Sequence, residues 1–118
     1  MPPPIAQARR GRHGARETPP ACPLCGGPFR PGVVWFGEAL PEDAWARACA
    51  AIDGCDVLVV VGTSGLVHPA ASLPLRARQR RAQVIEVNPV DSAVSAYASE
   101  QLRLPASAGV AMLRERFI

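Results

Sequence analysis

Two cysteines separated by two residues, Cys22 and Cys25, form the clearest chemical motif in this sequence. Cys-x-x-Cys spacing lets two thiolates reach one metal ion from a tight turn, and Gly and Pro residues follow the pair directly. The motif predicts a metal knuckle within residues 21–32, with these two cysteines as metal ligands. Because a structural zinc ion takes four such ligands, the sequence supplies half of the usual set.

The other two cysteines, Cys49 and Cys55, are separated by five residues, which does not suit a metal knuckle. Cys49 shares a predicted helix face with Ile52, and Cys55 comes directly before an apolar strand. We therefore interpret both as buried thiols and not as metal ligands. His13 lies nine residues before the first knuckle cysteine, in a Pro- and Arg-rich segment, and we do not assign it to the metal.

Small polar residues follow three of the predicted strands. Residues 62–64 read Gly-Thr-Ser, Asn88 ends another strand, and residues 105–107 read Pro-Ala-Ser. Ligands of open parallel sheets bind beyond the carboxyl ends of the strands. Glycine allows close approach of the backbone, and hydroxyl and amide groups suit phosphate and ribose oxygens. The residues alone leave two interpretations open, namely half of a nucleotide cleft or an ordinary turn and helix cap.

The pattern of apolar residues predicts alternating strands and helices, and hence an α/β fold with a partial Rossmann-like parallel sheet. The run 56–62 is continuous and β-branched, which is typical of a strand covered on both faces. Pro74 is expected to kink or restart its helix. Strands are predicted at 33–36, 56–62, 83–88 and near Leu102, and helices at 41–52, 69–81 and 92–98 and from about Ser107.

Length and charge narrow the class of protein further. The chain has 118 residues, enough for one domain, and its net charge of +3 comes from residues 1–20, which hold four Arg against one Glu. We interpret residues 1–20 as a disordered basic leader and 21–118 as the folded part. A neutral body argues against a nucleic-acid surface. No apolar run approaches the ~20 residues of a membrane span, and we expect a cytoplasmic protein.

Three segments together resemble one known family. VVWFGE at 33–38, VGTSGLVHPAASLP at 61–74 and VIEVNP at 84–89 are similar to the sirtuins, NAD-dependent protein lysine deacylases, and CPLCGGPFRP is similar to the second half of their zinc ribbon. The resemblance covers residues 22 to about 115 in the family's order. It implies acyl transfer from lysine to the ADP-ribose part of NAD, with release of nicotinamide.

The resemblance also implies roles for individual residues. Gly62, Thr63 and Ser64 match the turn that holds NAD phosphate and ribose groups, Asn88 matches the residue at the adenosine ribose, and Ala106 lies where the last loop covers the adenine. For a second group of residues, the resemblance implies contacts with the substrate. The acyl-lysine peptide would pair with an extended segment and a facing loop, and the residues that match these are Val34, Phe36, Gly37, Glu38 and Val67.

The sequence also departs from the family. No Gly-rich loop precedes Cys22, and His68 suits a loop side chain better than a catalytic base. We therefore expect a C-terminal piece of a sirtuin that is inactive alone. The alternative is a non-enzymatic module that binds NAD, ADP-ribose or a peptide. Half of a doubly wound sheet exposes an edge and an apolar face, so self-association is also expected.

Overall fold

The computed structural model describes residues 16–118, so most of the predicted leader and His13 lie outside the described residues. The chain divides into two compact units, Met1–Glu38 and Ala39–Ile118, and each is considered by itself below. Among the described residues, no helix has the length and apolar character needed to cross a membrane.

The second unit is an α/β layer built on a three-stranded parallel sheet, as the sequence predicts. Its strands are β1 (Val57–Val61), β2 (Gln83–Val87) and β3 (Glu100–Leu102), which lie side by side in that order, with Val59 opposite Ile85 and Ile85 opposite Glu100. Pro74 restarts the helix between β1 and β2, since a short 3₁₀ turn at Ala70–Ser72 precedes it. The helices are α1 (Glu42–Asp53), α2 (Leu73–Gln79) and α3 (Ala106–Phe117).

Alternate residues of β2 face two separate apolar clusters, as the two-residue period of a strand requires. Val84 packs with Ile52 of α1 and Ala77 of α2 on one face. On the other face, Ile85 and Val87 pack against Leu113 of α3. Both faces of β2 are therefore buried. As the central strand, β2 positions β1 and β3 on its two sides.

Strand β1 differs from its prediction, because it is not covered on both faces. Val59 and Val61 are each 39% exposed, whereas Leu58 and Val60 are partly buried against the α1–α2 cluster. The reason is position: β1 is the outer strand of the described sheet, and it pairs on one side only, with β2. The continuous β-branched run identified a strand correctly, but it did not indicate how much cover the strand receives here.

The predicted helix at 92–98 is wrong, because this segment forms successive turns. The main-chain N–H groups of Ser95 and Tyr97 donate to carbonyls three residues earlier, and only Ala98 makes a bond of α-helical spacing in this segment. The Ser92 and Ser95 hydroxyls bind a carboxylate on the sheet instead. Serine side chains that bond elsewhere compete with regular helix formation, which accounts for the difference.

The predicted strand at 33–36 is also wrong, because these residues form an irregular segment that ends in a turn. A strand needs a neighbour to take its backbone hydrogen bonds, and in the described part of this unit no strand pairs with it. The main-chain N–H of Glu38 donates to the Trp35 carbonyl at 3.1 Å, which folds the segment back. The β-branched and aromatic residues that suggested a strand are largely exposed.

Candidate functional site at the carboxyl ends of the strands

A sharp turn follows β1 and is anchored to β2. The main-chain N–H of Gly62 donates to the Val87 carbonyl at 2.9 Å. Gly62 has a φ of +64°, a conformation that glycine adopts without cost, and a Cβ placed there would meet nothing within 4 Å. The Thr63 and Ser64 hydroxyls accept main-chain N–H bonds two residues on, which leaves their hydrogens free to donate. The turn therefore presents an open backbone and two hydroxyl donors.

Asn88 follows β2 and holds this turn from the side. Its side-chain amide donates to the Thr63 carbonyl at 3.0 Å, and its side-chain oxygen accepts from the main-chain N–H of Val90 at 3.3 Å. Its own main-chain N–H donates to the Leu102 carbonyl of β3 at 3.1 Å. With 7% of its surface exposed, Asn88 links the ends of all three strands. One amide hydrogen and one oxygen lone pair remain for a ligand.

The two segments form one cleft of about 470 Å³. The main-chain N–H of Ala93 donates to the Ser64 carbonyl at 3.0 Å and joins its walls. Four of the predicted cofactor residues therefore come together. Ala106, the fifth, is exposed at the start of α3 on the same edge of the sheet and does not line this cleft. The lining residues are Gly62, Thr63, Ser64, Leu66, Asn88, Val90, Asp91, Ser92 and Ala93.

A buried carboxylate that sequence reasoning missed lies beneath this cleft. Glu86 is 1% exposed and binds the hydroxyls of Ser92 and Ser95 and the guanidinium of Arg103. Burial alone raises the pKa of Glu86, but the hydrogen bonds from the two serines and Arg103 outweigh it and lower the pKa below its ordinary value. The signal in the sequence is a single acid inside an otherwise apolar strand, VIEVN.

Arg103 extends this cluster to the rim of the cleft. Its guanidinium contacts Glu86 and the Asn88 carbonyl on one side and Asp91, a lining residue, on the other. The hydrogen bond to Glu86 contributes most to a raised pKa for Arg103. The buried acid therefore positions the segment after Asn88 through Arg103 and the two serines. Glu86 does not line the cleft, so its role there is structural support.

The first unit places most of the predicted peptide-contacting residues in a compact turn. Arg30 donates both terminal guanidinium nitrogens to Glu38 at 3.0 and 3.1 Å and lies 4.2 Å from the Trp35 ring centroid. This hydrogen bonding with Arg30, followed by the Trp35 main-chain N–H, lowers the pKa of Glu38. Val34 and Phe36 are exposed, and Gly37 has a φ of +84°.

Val67 lies in the second unit, 55% exposed, in the loop between β1 and α2. It lines an apolar cleft of about 340 Å³ together with Val60 and Ala71. The neighbouring His68 is exposed in the same loop. The clamping of a peptide between Val67 and residues 34–38 stays a prediction.

Cys22 and Cys25 lie in a knuckle-like turn. The Cys22 main-chain N–H donates to the Gly27 carbonyl, and its own carbonyl accepts from Gly26. The main-chain N–H of Cys25, with further hydrogen bonds from Leu24 and the Cys25 thiol, lowers the pKa of Cys22. Across residues 16–118, however, no three Cys, His, Asp or Glu side chains converge as a metal site needs. The described residues do not by themselves fit a structural zinc ion.

The remaining cysteines lie in the second unit, and both are partly buried. The Cys55 thiol donates to the Ile52 carbonyl at 3.3 Å and packs against the α1–α2 cluster. The Cys55 side chain is therefore part of the hydrophobic packing of the second unit.

Comparison with known proteins agrees with this fold. The Sir2 family matches residues 5–69. The NAD-dependent protein deacylase 2 of Corynebacterium efficiens is 48% identical over 101 residues, which cover 86% of this chain and 40% of that protein. A solved Sir2 homologue in complex with NAD superposes with a TM-score of 0.76 at 44% identity, covering 82% of this chain and 38% of that one. A Sir2–p53 peptide–NAD⁺ structure gives 0.72 at 29% identity, with 82% and 40% covered.

An α/β domain with a cleft at the carboxyl ends of parallel strands is the arrangement in which open α/β sheets bind their ligands. The match over residues 5–69 is more than half of the chain, and it shows that this chain belongs to the Sir2 family, as the resemblance indicated. The match begins inside the predicted leader, whose boundary at residue 20 stays a prediction. The chain spans about two fifths of the length of these relatives.

Proposed function

We propose that this chain supplies the adenosine side of the NAD site of an NAD-dependent protein lysine deacylase. The observation that carries the proposal is the hydrogen bond from Asn88 to the Thr63 carbonyl, which joins the turn and the strand end into one cleft. Sir2 homologues solved with NAD and with ADP-ribose support it, because their folds superpose on this part of the chain.

The cleft has groups that fit the polar parts of an adenine nucleotide. Gly62 leaves room for close approach of a phosphate or ribose, and the Thr63 and Ser64 hydroxyls have hydrogens to donate. Asn88 keeps one donor and one acceptor for a ribose hydroxyl. Asp91, held by Arg103 at the rim, adds a second acceptor. Ala106, at the start of α3, would cover the adenine from the same edge of the sheet.

The proposed reaction transfers an acyl group from a lysine to ADP-ribose. NAD supplies the electrophilic ribose carbon and nicotinamide as leaving group. This chain's residues would bind and orient the adenosine end, while activation of a ribose hydroxyl needs a general base. In the sequence before Cys22 there is neither a Gly-rich loop nor a histidine that we assign as that base. We therefore propose that these 118 residues are inactive alone.

The substrate would be an acyl-lysine peptide. The peptide complexes of Sir2 homologues support a peptide partner. Val34, Phe36, Gly37 and Glu38 lie in the exposed segment that we propose contacts the peptide, and Val67 is the proposed facing residue. No step of this proposal passes through zinc, since the described residues supply Cys22 and Cys25 only.

Calorimetric titration with ADP-ribose tests the proposal directly. Binding in the micromolar range by the full chain, and its loss in Asn88→Ala, is the expected result. Absence of binding by the unaltered chain would remove the proposed function. Incubation with NAD and acetyl-lysine peptide is expected to release no nicotinamide, and turnover would contradict the inactivity of the chain alone.

The second candidate is a binding module without catalysis, favoured because the residues that line the described cleft include no histidine. It predicts the same ADP-ribose binding, but no turnover when the rest of a Sir2 domain is supplied. A cytoplasmic location stays a prediction, which fractionation of cells producing the tagged chain can test.

A further inference from the structure

Asp91 alone, of the described residues that line the cleft, carries a formal charge. Its side chain is 85% exposed, whereas Asn88, on the same wall, is buried. A short loop joins the two, in which the main-chain N–H of Val90 donates to the side-chain oxygen of Asn88 at 3.3 Å. A ribose placed at Asn88 therefore lies on the same side of the cleft as a solvent-facing carboxylate.

The guanidinium of Arg103 contacts this carboxylate but does not line the cleft. One terminal nitrogen donates to Glu86 at 3.1 Å and to a main-chain carbonyl at 3.4 Å. The other donates to Asp91, to the Ser95 hydroxyl at 3.1 Å and to the Gln101 side chain at 2.7 Å. Two nitrogens with four hydrogens thus meet five acceptors. Neither nitrogen keeps a free donor for a ligand in the cleft.

The charges of these side chains disfavour a further anion at the rim. Although burial raises it, the hydrogen bonds that Glu86 accepts lower its pKa below the ordinary value, so this carboxyl is ionised at neutral pH. Glu86 and Asp91 therefore share the single positive charge of Arg103, and the sum is one negative charge. A phosphate monoester carries about −1.5 to −2 at pH 7 and would be repelled there.

Nucleotide sites on parallel sheets distinguish two forms of the adenosine ribose. A carboxylate accepts a hydrogen bond from a free 2′-hydroxyl, whereas an arginine accommodates a 2′-phosphate. Both residue types are present here, as Asp91 and Arg103, and their contacts decide between the two forms. Asp91 faces the cleft and occupies the guanidinium, so the acceptor is available to a ligand and the cation is not.

We propose that Asp91 makes this cleft selective for an adenosine ribose with a free 2′-hydroxyl, by accepting from that hydroxyl and by occupying Arg103. Arg103 is then a phosphate ligand that the carboxylate keeps engaged. Val90, the residue directly after Asn88 and Pro89, has no polar side chain, so the role falls to Asp91. This inference rests on the proposed function and adds to it which nucleotides the cleft rejects.

Calorimetric titration of the full chain with ADP-ribose and with 2′-phospho-ADP-ribose tests the proposal. The unaltered chain is expected to bind ADP-ribose at least about tenfold more tightly than the phosphorylated form. Asp91→Ala should narrow this ratio about tenfold or more, because a phosphate oxygen can take the place that the carboxylate leaves at Arg103. Asp91→Asn, which removes the charge and keeps the shape, should give an intermediate ratio.

Asp56→Ala is the matched control for the loss of one negative charge. Asp56 is an exposed acid directly before β1, at the opposite edge of the sheet from the cleft, and its replacement should leave the ratio unchanged. The double variant Asp91→Ala, Arg103→Met should lose the affinity for the phosphorylated form that Asp91→Ala gains. Circular dichroism shows whether it folds. If it does not, a steeper salt dependence of that gained affinity in Asp91→Ala identifies the same contact.

Three outcomes overturn the proposal: equal affinity of the unaltered chain for the two ligands, a ratio that Asp91→Ala leaves unchanged, or equal shifts in Asp91→Ala and Asp56→Ala. Equal shifts would mean that net charge at long range, and not the contact with Arg103, sets the preference.

The selectivity inference and the proposed function fail in different ways. Binding of ADP-ribose with a ratio that does not respond to Asp91 keeps the nucleotide site and removes the selectivity. Absence of ADP-ribose binding by the unaltered chain removes both.

Discussion

The side-chain amide of Asn88 donates to the main-chain carbonyl of Thr63 at 3.0 Å, so a residue at the end of β2 fixes the turn after β1. Asn88 is buried, and its other side-chain bond goes to Val90. One amide group therefore sets the distance between the two walls of the cleft. Binding of a nucleotide and stability of the empty cleft should both depend on it.

Replacement of Asn88 tests this dependence. Asn88→Ala is expected to lower the free energy of unfolding by about 1–2 kcal/mol, because the Thr63 carbonyl loses its side-chain donor in a buried site. Asn88→Asp should not restore it, since a carboxylate cannot donate to that carbonyl. Urea unfolding measures the stability and calorimetry with ADP-ribose measures binding. Gln79→Ala, on the exposed end of α2, is the control; equal behaviour of both variants would contradict the role of Asn88.

The Glu86 cluster predicts a specific dependence of stability on pH. The pKa of Glu86 is lower in the folded chain than its ordinary value of 4.5. A depressed carboxyl pKa stabilises the fold above the unfolded-state pKa, and this contribution is lost as the pH falls through the folded-state value. The unfolding free energy of the unaltered chain should therefore decrease below about pH 4.5.

Glu86→Gln isolates this contribution from those of other acids. At pH 7 the variant should be less stable by about 2–3 kcal/mol, since it loses charge-assisted hydrogen bonds with Arg103 and two serines. The gap between the two proteins should narrow as the pH drops below 4.5. Denaturant unfolding at a series of pH values measures it. A constant gap across that range would show that the charge of Glu86 does not contribute.

Gly109 predicts a substitution whose effect opposes helix propensity. It lies within α3, where Ala normally stabilises a helix by about 1 kcal/mol relative to Gly. A Cβ at this position would lie 2.3 Å from Cγ1 of the buried Val87. Gly109→Ala should therefore destabilise the domain, by about 1–3 kcal/mol, because overpacking forces the helix away from the sheet.

Two variants check this explanation by thermal unfolding. Ala108→Gly, at the neighbouring exposed position, should cost about 1 kcal/mol through propensity alone. Val87→Ala combined with Gly109→Ala should recover part of the loss, since the contact partner is removed. If Gly109→Ala raises the melting temperature, the close approach of α3 to β2 is not as described.

The ion pair in the first unit predicts a local spectroscopic change. Arg30 contacts both Glu38 and the Trp35 ring, so Arg30→Leu should release both. In a Trp45→Phe background, which leaves Trp35 as the single tryptophan, the emission maximum is expected to shift. Arg47→Leu, on the exposed side of α1, should leave the emission unchanged. An unaltered spectrum in the Arg30 variant would show that the turn does not depend on this pair.

Much of the second unit follows from local sequence signals. The apolar runs around Val59 and Ile85 predict both main strands, and Pro41 and Pro74 mark helix starts close to their positions in the structure. Part of the cleft was predictable for a general reason: the carboxyl ends of parallel strands lie on one edge of the sheet, and Gly62 and Asn88 each follow such an end.

The features that could not be predicted depend on tertiary contacts, which local sequence patterns do not specify. Whether residues 33–36 form a strand depends on a neighbouring strand, and whether Val59 is covered depends on what lies beyond the sheet edge. The Ser92–Ser95 segment has enough helix-compatible residues for a helix, but contacts with Glu86 decide otherwise. A charged residue in a strand is usually exposed, so the sequence does not indicate that Glu86 is buried and bonded to three side chains.

The three strand ends are also joined by main-chain bonds, from Gly62 to Val87 and from Asn88 to Leu102. The floor of the cleft is therefore as rigid as the sheet, and a ligand would not have to order it. Binding of a nucleotide should therefore cost little conformational entropy of the protein, so the enthalpy and heat capacity of binding should reflect contacts alone. Any mobility of a nucleotide site here would then lie in the residues beside Gly62 and not in the floor of the cleft.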